Sequence, residues 1–577
     1  MGLRVCLVTP FAWSRPHDVN EHVAGIAAEL RALGHSVTVL APSTRAADLI
    51  AGRRALLDGA ADEVIALGPA VPVSRRSRIG VPVGVRANLS LALTRGGYDV
   101  VHGFEPGLPS LSYLAVRDSH ALTVTTFLAV ERLGYPPGKA QRERLLGRID
   151  ALIATSEATA EAAAERLPGD YRVLSPGVDT ELFKPGRKRK LVVYEWRPAE
   201  RALARSVTRA LRELPGWELV LLRTKALSGR PTIPRSLRGR ARIRTLRSGA
   251  ARAPLLNETA IFVPAFDGVQ RVSLEAAAAA AAIVSPPGLR EQPELAAAAI
   301  ARLAEDDDYR AGLSEQARAE AEGQSFAAVA RELDGIYTSL AARKRKAPET
   351  RALTDGRDWI AADLHLHTSW SHDCQIPVEE LLEHAEAQGL GAIAVTDHNV
   401  FGGALEAVEL ARGRNLTVIP GEEVKTDGQG EVIGLFLREE IPRGMSFGET
   451  VAAIRAQGGI VYLPHPFDRL HAIPSAKTLK SHLDEVDVVE VYNARLLFEA
   501  YNDEALRFAR KYGVTMGAGS DAHVLQGVGT GGLRMRAFDG PEEFLVSLRS
   551  AQVLRRPRSL LYLQSLKWAA QAKERVR

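Results

Sequence analysis

Short apolar segments alternate with amphipathic helical segments along almost the whole 577-residue chain, and this alternation constrains the fold more than any other feature. It begins with the apolar segment LRVCLVTP, the helical segment NEHVAGIAAELRALGH and the apolar segment SVTVLAP. Strands separated by helices pair in parallel, with the helices packed on the faces of the sheet. A chain of this length is also too long for one hydrophobic core. The sequence therefore predicts an α/β protein of several domains.

Charge and proline interrupt the alternation in the segment RKRKAPETRALTDGRD, which we interpret as an interdomain linker over residues 343–358. Ahead of this linker, two α/β series predict two Rossmann-like domains, covering residues 1–185 and 186–342. After it, a third β/α series and a C-terminal amphipathic helix cover residues 359–577.

The composition favours a cytoplasmic protein. Two cysteines are too few for a disulfide framework, and the first residues lack the pattern of a signal peptide. No apolar run reaches the ~18 residues of a membrane span. The net charge is +5, and the arginine-dense segment 230–252 contains no aromatic residue, so we find no strong signal for nucleic-acid binding. We favour a solvated basic face and leave open a peripheral membrane contact through it.

Ligand-type side chains collect at the predicted strand ends of the third series. The segment DLHLHTSWSHD (363–373) places His365 and His367 two residues apart, so on a strand both point to one face. Catalytic residues of β/α barrels gather at the carboxyl ends of strands. Imidazole mixed with carboxylate suits Zn, Mn or Fe, so the set predicts a multinuclear metal site. Its members are His365, His367, Asp373, Asp397, His398, Glu423, His465, Asp521 and His523.

This region resembles the PHP family, the polymerase and histidinol phosphatase domains, through DLHLHTSWSHD, TDHN, PGEE, PHP and GSDAH in that order. The resemblance implies a distorted seven-stranded β/α barrel that holds two or three divalent metal ions and hydrolyses phosphate esters. It implies that one metal lies among His365, His367, Glu423 and Asp521. Glu423 then bridges to a second metal near His465. A third metal would be held by Asp373, His398 and His523.

Several assignments in this region stay open. His372 competes with Asp373, whose spacing we prefer, and Glu431 stands where relatives often have a histidine, so we include it as a metal ligand. The candidate catalytic residues are Asp397 and His398, with Arg469 for the phosphate. Arg495 is an alternative for the same role, and surface salt bridges are the other interpretation of both arginines.

The first two domains resemble family-four glycosyltransferases of the GT-B type, through CLVTPFAWSRPHDVNEHVAG, YDVVHGFEPGLPS, SPGVDTELFKP and PAFDGVQRVSLEAAA. The resemblance implies a nucleotide-sugar site whose contacts here are Arg197, Asp267 and Glu275. The histidine expected after TTF is Leu128, however, and the glycine expected in the helix after Glu275 is Ala280. Glycines let a backbone approach a pyrophosphate closely.

We therefore interpret the glycosyltransferase-like region as a degenerate enzyme that acts as a binding or scaffold module. The predicted activity is that of a metal-dependent phosphatase or phosphodiesterase acting on a small phosphorylated substrate, such as a sugar phosphate or a nucleotide. The rival interpretation is an active glycosyltransferase using a nucleotide-sugar donor, with an accessory PHP domain.

Overall fold

The protein is described by a computed structural model that covers residues 2–58, 63–72, 78–79, 85–224, 229–266, 271–344, 353–556, 558–559 and 561–568. The chain divides into two compact units, Met1–Ala341 and Ala342–Arg577. Within the described residues, no helix is both long enough and apolar enough to cross a bilayer.

The first unit begins with a seven-stranded parallel sheet of order β3-β2-β1-β6-β7-β8-β9. The strands are β1 Arg4–Val8, β2 Ser36–Ser43, β3 Val64–Pro69, β6 Val100–Phe104, β7 Leu122–Phe127, β8 Ala151–Ala154 and β9 Tyr171–Val173, with β4 Val71–Pro72 and β5 Arg78–Ile79 as a separate antiparallel pair. The helices are α1 Asp18–Ala32, α2 Ala46–Asp58, α3 Arg86–Gly96, α4 Leu111–Asp118, α5 Lys139–Arg148 and α6 Glu157–Ala164. The central strands read as continuous apolar runs because helices cover both faces of the sheet.

A second parallel sheet of order β12-β11-β10-β13-β14 completes this unit. Its strands are β10 Arg189–Glu195, β11 Glu218–Arg223, β12 Ala241–Thr245, β13 Thr259–Val263 and β14 Ala282–Ile283. Its helices are α7 Arg201–Glu213, α8 Gly249–Asn257, α9 Arg271–Ala278, α10 Leu295–Glu305, α11 Asp307–Gly323 and α12 Phe326–Ala342. Helix α12 reaches back to the first sheet, where the Tyr337 hydroxyl lies 2.6 Å from Nδ1 of His102.

The second unit is built on a nine-stranded sheet of order β21-β20-β19-β18-β17-β16-β15-β22-β23. The strands are β15 Trp359–Leu366, β16 Leu390–Val395, β17 Thr417–Lys425, β18 Glu431–Leu435, β19 Ile460–Leu463, β20 Val488–Asn493, β21 Thr515–Gly519, β22 Gly531–Arg536 and β23 Gln552–Arg555. The helices are α13 Val378–Ala387, α14 Gly402–Leu410, α15 Phe447–Ala456, α16 Ala476–Ser481, α17 Glu499–Tyr512 and α18 Gly540–Arg549, and residues 561–568 are also helical.

Strands β15 to β21 curl into a nearly closed barrel. The end of β21 meets β15, where the Asp521 amide donates to the His365 carbonyl at 2.9 Å. Gly519 permits this approach, because a Cβ there would lie 2.4 Å from the Cβ of His365. Strand β18 runs antiparallel to both neighbours, which makes the barrel irregular. The predicted α/β class, with two Rossmann-like sheets and a distorted barrel of seven strands, is confirmed.

Candidate metal centre

The barrel brings the predicted ligand residues together at one end. Parallel strands deliver their carboxyl ends to the same edge, and the loops after them carry the histidines and aspartates. Glu431 joins them because β18 is antiparallel, so its first residue pairs with Lys425 at the end of β17. His465 and Asp521 have left-handed backbone, with φ of 26° and 52°. Such strained residues cluster at functional sites.

Glu423 lies at the middle of the cluster and is fully buried. Its Oε2 lies 3.3 Å from Nε2 of His365 and 3.0 Å from Nδ1 of His398. Its Oε1 lies 3.1 Å from Nε2 of His465, which is also 3.8 Å from the Glu431 carboxylate. One carboxylate therefore faces three imidazoles, the arrangement of a bridging ligand between metals.

Two further groups flank Glu423. In the first, Nε2 of His367 lies 3.4 Å from Oδ1 of Asp521. In the second, Oδ2 of Asp373 lies 2.9 Å from Nε2 of His523, while Oδ1 lies 3.8 Å from Nε2 of His398. Four overlapping sets bring their ligand atoms within 4.8 Å of one another: His365–His367–Asp521, His365–Glu423–His465, His398–Glu423–Glu431 and His367–His398–His523.

Hydrogen bonds fix which ring nitrogen of three histidines faces the cluster. The Ser371 hydroxyl donates to Asp397, so its oxygen accepts from Nδ1 of His367 at 3.3 Å. Nδ1 of His365 donates to Glu490 at 3.1 Å, and Nδ1 of His523 to the Asp521 carbonyl at 3.0 Å. Each ring then turns an unprotonated Nε2 toward carboxylate oxygens when neutral.

An unprotonated imidazole nitrogen and a carboxylate oxygen are both hydrogen-bond acceptors, so a cation between them stabilises their close approach. Nε2 of His367 and Oδ1 of Asp373 are buried and have no hydrogen-bond partner. Burial and the neighbouring His523 hold the pKa of His367 well below its usual value, so this ring is neutral. Orphaned imidazole and carboxylate atoms at such distances fit divalent metal ions, so the residues present match the implied cofactor.

The electrostatics of the cluster also favour added positive charge. Burial alone would lower the pKa of His465, but the hydrogen bond and charge of Glu423 raise it to about 9. His398 behaves in the same way, because the charge of Glu423 outweighs burial and raises its pKa to about 9. Protonated His398 and His465 thus balance the negative charge of the buried carboxylates when no metal ion does so.

Asp397, a candidate catalytic residue, is held by hydrogen bonds within the protein. Its carboxylate is fully buried and accepts three hydrogen bonds of 2.7 Å, from the Thr368 amide, the Thr368 hydroxyl and the Ser371 hydroxyl. Ser371 in turn holds Nδ1 of His367 and the amide of His398. Asp397 therefore positions two ligand histidines.

A cavity of about 310 Å³ opens onto the cluster, and it is lined by one of the two candidate arginines but not by the other. Arg495 lines it and donates to Oδ1 of Asp521 at 3.2 Å. Arg469 does not line it, because its guanidinium is held by Glu504 on α17 at 3.2 and 3.3 Å. The assignment of Arg469 to the phosphate stays a prediction, and Arg495 is the candidate arginine that lines the cavity.

His372 and Asp373, the two alternatives for one ligand position, also differ in what their side chains contact. His372 is exposed on the cavity wall, whereas the Asp373 carboxylate reaches His523. The geometry favours Asp373 as the ligand.

Glu490 contacts the cluster, and the sequence pattern did not reveal it. It is buried in the middle of β20, where it accepts from Nδ1 of His365, the Tyr462 hydroxyl and the His465 amide. An acidic residue inside the apolar run VDVVEVYN was the available signal. A carboxylate behind a ligand histidine fixes its tautomer and raises its basicity.

His471 also lies on the cavity wall and was not predicted. Its Nδ1 is 2.7 Å from Oδ2 of Asp468, a buried carboxylate that orients the ring. The His471 side chain is itself 65% exposed. This pair offers a proton donor or acceptor at the mouth of the site.

Two of the predicted nucleotide contacts in the first unit are buried and paired within the protein. Arg197 is 3% exposed and is held by Glu195 at 2.7 Å. Glu275 is 1% exposed and is paired with Arg252 at 2.5 and 2.6 Å and with Arg271 at 3.1 Å. Both side chains are therefore buried in internal ion pairs, and their contact with a nucleotide stays a prediction. Asp267 lies outside the described residues.

A cavity of about 650 Å³ nevertheless lies in this unit. Its walls come from the loops after β7, β8 and β9 and from helices α9 and α11. Leu128, the residue in place of the expected histidine, is one of its lining residues, with Ser156 and Arg290 among the polar ones.

Family models match three parts of the chain. Residues 19–182 match Glycosyltransferase Family 4, residues 363–512 match the PHP domain, and residues 499–553 match the PHP-associated segment. The uncharacterized protein MJ0417 of Methanocaldococcus jannaschii is 35% identical over 215 residues, which are 35% of this chain and 85% of that protein.

Another relative is the phosphatidyl-myo-inositol mannosyltransferase of Propionibacterium freudenreichii, 32% identical over 166 residues, which are 28% of this chain. The match spans 42% of that mannosyltransferase, less than half its length. Among solved structures, sucrose-phosphate synthase of Thermosynechococcus elongatus aligns with a TM-score of 0.40 and 16% identity, over 59% of this chain and 99% of that one. The chain therefore belongs to the family of MJ0417, and it joins a Glycosyltransferase Family 4 region to a PHP domain with its PHP-associated segment.

Proposed function

We propose that the barrel is a metal-dependent phosphoesterase that hydrolyses a small phosphate ester. One observation carries this proposal: neutral His367 turns a bare, buried Nε2 toward the carboxylates of Glu423 and Asp521, at 3.5 and 3.4 Å. Only a cation reconciles these acceptors, and the flanking groups offer ligands for two or three divalent ions of Zn, Mn or Fe.

The chemistry follows from the residues that face the cavity. Divalent metal ions bound here would acidify water and neutralise phosphoryl oxygens. Arg495 supplies a guanidinium beside Asp521, where it grips a phosphate oxygen. His471, oriented by Asp468, donates a proton to the departing alcohol oxygen.

The cavity limits the substrate to a small molecule. A volume of about 310 Å³ suits a sugar phosphate or a mononucleotide and leaves little room for more. The large share of charged side chains among its lining residues also favours a polar, anionic substrate.

The test is phosphate release by purified full-length protein loaded with Mn²⁺ or Zn²⁺, against protein stripped with a chelator. A panel of sugar phosphates and nucleotides finds the substrate, and p-nitrophenyl phosphate beside bis-p-nitrophenyl phosphate separates monoesterase from diesterase action. We expect His365→Ala with His367→Ala to abolish release while the first unit stays folded. Hydrolysis that survives chelation or the double substitution would refute the proposal.

The glycosyltransferase-like unit acts, on this proposal, as a binding or scaffold module. The support is the internal pairing of Glu275 and Arg197 together with the loss of a catalytic imidazole at Leu128. We expect no sugar transfer from UDP-glucose or GDP-mannose by the full-length protein. Robust donor turnover that Glu275→Ala suppresses would instead make transfer the primary function.

A further inference from the structure

The helical residues 561–568 contribute a cation to the metal centre. Nζ of Lys567 lies 2.8 Å from Oδ2 of Asp373, and the Lys567 side chain is only 12% exposed. Leu563, Leu566 and Lys567 are partly buried and follow one another at helical spacing, so one face of this helix is turned inward. The contact therefore belongs to a packed face.

Lys567 contacts the carboxylate that the predicted third metal group includes. Oδ2 of Asp373 also lies 2.9 Å from Nε2 of His523, whose Nδ1 donates to the Asp521 carbonyl. Lone pairs of Asp373 and His523 thus face each other across the short gap, and Nη1 of Arg495 lies 3.3 Å from the same Nε2, so this corner draws positive charge. An ammonium already hydrogen-bonded to Oδ2 supplies it, whereas a divalent ion added beside the ammonium would be repelled.

The two ligand sets around Glu423 have no such competitor. They are completed by His365, His465, His398 and Glu431, and neither a lysine nor an arginine contacts the Glu423 carboxylate among the residues described. Arg495 contacts Oδ1 of Asp521 at 3.2 Å, so the group of His365, His367 and Asp521 already has a cation beside it. Two metal positions therefore stay open while the Asp373 corner carries a fixed cation.

We propose that Lys567 takes the place of a third metal ion, so that the protein holds two divalent metals and a lysine ammonium. This inference rests on the proposed function, because it assumes that the barrel is a metal site. On this inference, the helix of residues 561–568 is a part of the metal site.

The test counts bound metal without an activity assay. Full-length protein is equilibrated with Mn²⁺, freed of excess metal by dialysis, and analysed for Mn per chain by elemental analysis, with calorimetric titration of Mn²⁺ into stripped protein as a second measure. We expect two Mn²⁺ ions in the wild type and three in Lys567→Gln. Lys567→Arg, which keeps the charge, should hold two.

Lys425→Gln is the matched control, because Lys425 lines the same cavity but is exposed, and no contact of its ammonium with Asp373 occurs. It should leave the count at two. Three ions in the wild type, or an unchanged count in Lys567→Gln, would overturn the inference and leave the phosphoesterase proposal standing. No bound metal in the wild type would instead overturn the proposed function itself.

Discussion

Replacing Glu490 by glutamine isolates the contribution of a carboxylate that does not line the 310 Å³ cavity but lies behind a predicted metal ligand, His365. Oε1 of Glu490 accepts from Nδ1 of His365 and from the Tyr462 hydroxyl, both at 3.1 Å. Oε2 accepts from the His465 amide at 2.9 Å and from Nδ2 of Asn493 at 3.0 Å. The carboxylate is therefore surrounded by four donors and is 1% exposed.

Glutamine keeps the shape but not the hydrogen bonding. Its single carbonyl oxygen can satisfy one of the two donor pairs, and its amide group then faces the other pair donor to donor. Buried donors left unpaired cost about 1–3 kcal/mol each. An acceptor behind a metal-binding histidine typically changes metal affinity about 10- to 100-fold, which is about 1.4 to 2.7 kcal/mol. We therefore expect Glu490→Gln to weaken metal binding about 30-fold.

Calorimetric titration of Mn²⁺ or Zn²⁺ into stripped protein measures the affinity, and urea unfolding of the stripped variant measures the packing cost separately. Glu485→Gln is a matched control, because Glu485 also accepts from a histidine, Nδ1 of His482 at 2.6 Å, but outside the metal cluster. It should leave the affinity unchanged. A folded Glu490→Gln protein with an affinity within about threefold of wild type would refute the role of this carboxylate.

Three further outcomes are expected. Arg495→Met should lower kcat/KM about 10- to 100-fold, because it removes a charged hydrogen bond to the phosphate that is worth about 1.5–3 kcal/mol. Arg469→Met should stay near wild type, because the Arg469 guanidinium faces α17. Equal losses in the two variants would contradict the assignment of Arg495 to the cavity. His471→Gln should slow hydrolysis of alkyl phosphates more than that of p-nitrophenyl phosphate, whose leaving group needs no proton, and an unchanged rate ratio would exclude His471 as the acid. Burial raises the pKa of Glu105 to about 8 from 4.5, so the folded first unit keeps a proton that the unfolded chain releases. The urea stability of that unit should fall as pH rises through this window, and Glu105→Gln should flatten the dependence; parallel curves would show that another group is responsible.

The ligand set was predictable because strand direction fixes where strands end. In a parallel β/α series, residues that follow successive strands reach one edge of the sheet whatever the lengths of the connections. His365, His398 and Asp521 therefore lie within one cluster although more than 150 residues separate the first from the last. The same reasoning extends to Glu431 only when β18 is known to be antiparallel, which the sequence does not reveal.

The sequence did not decide between Arg469 and Arg495 and did not reveal the supporting carboxylates, because these roles depend on side-chain direction. Arg469 and Arg495 both follow strand ends, but a carboxylate on α17 draws one away while Asp521 holds the other at the cavity. Glu490 lies within a strand, where alternation predicts which face of the sheet its side chain points to. Alternation does not predict that this side chain lies behind the ring of His365. Lys567 approaches Asp373 from 194 positions further along the chain, a separation that no local pattern spans.

The candidate metal centre and the buried acid Glu275 of the first unit differ in whether their polar atoms already have partners within the protein. Glu275, which the family resemblance assigns to a nucleotide-sugar donor, has both oxygens engaged by Arg252 and one also by Arg271. Arg271 extends the pairing to Glu21 of α1 at 2.7 Å, so two arginines that would suit a pyrophosphate are already neutralised by the protein's own carboxylates. A diphosphate entering there must break buried charged hydrogen bonds, which are costly to disrupt. In the barrel, by contrast, Nε2 of His367 is buried without a hydrogen-bond partner, and a cation bound beside it gains an interaction there.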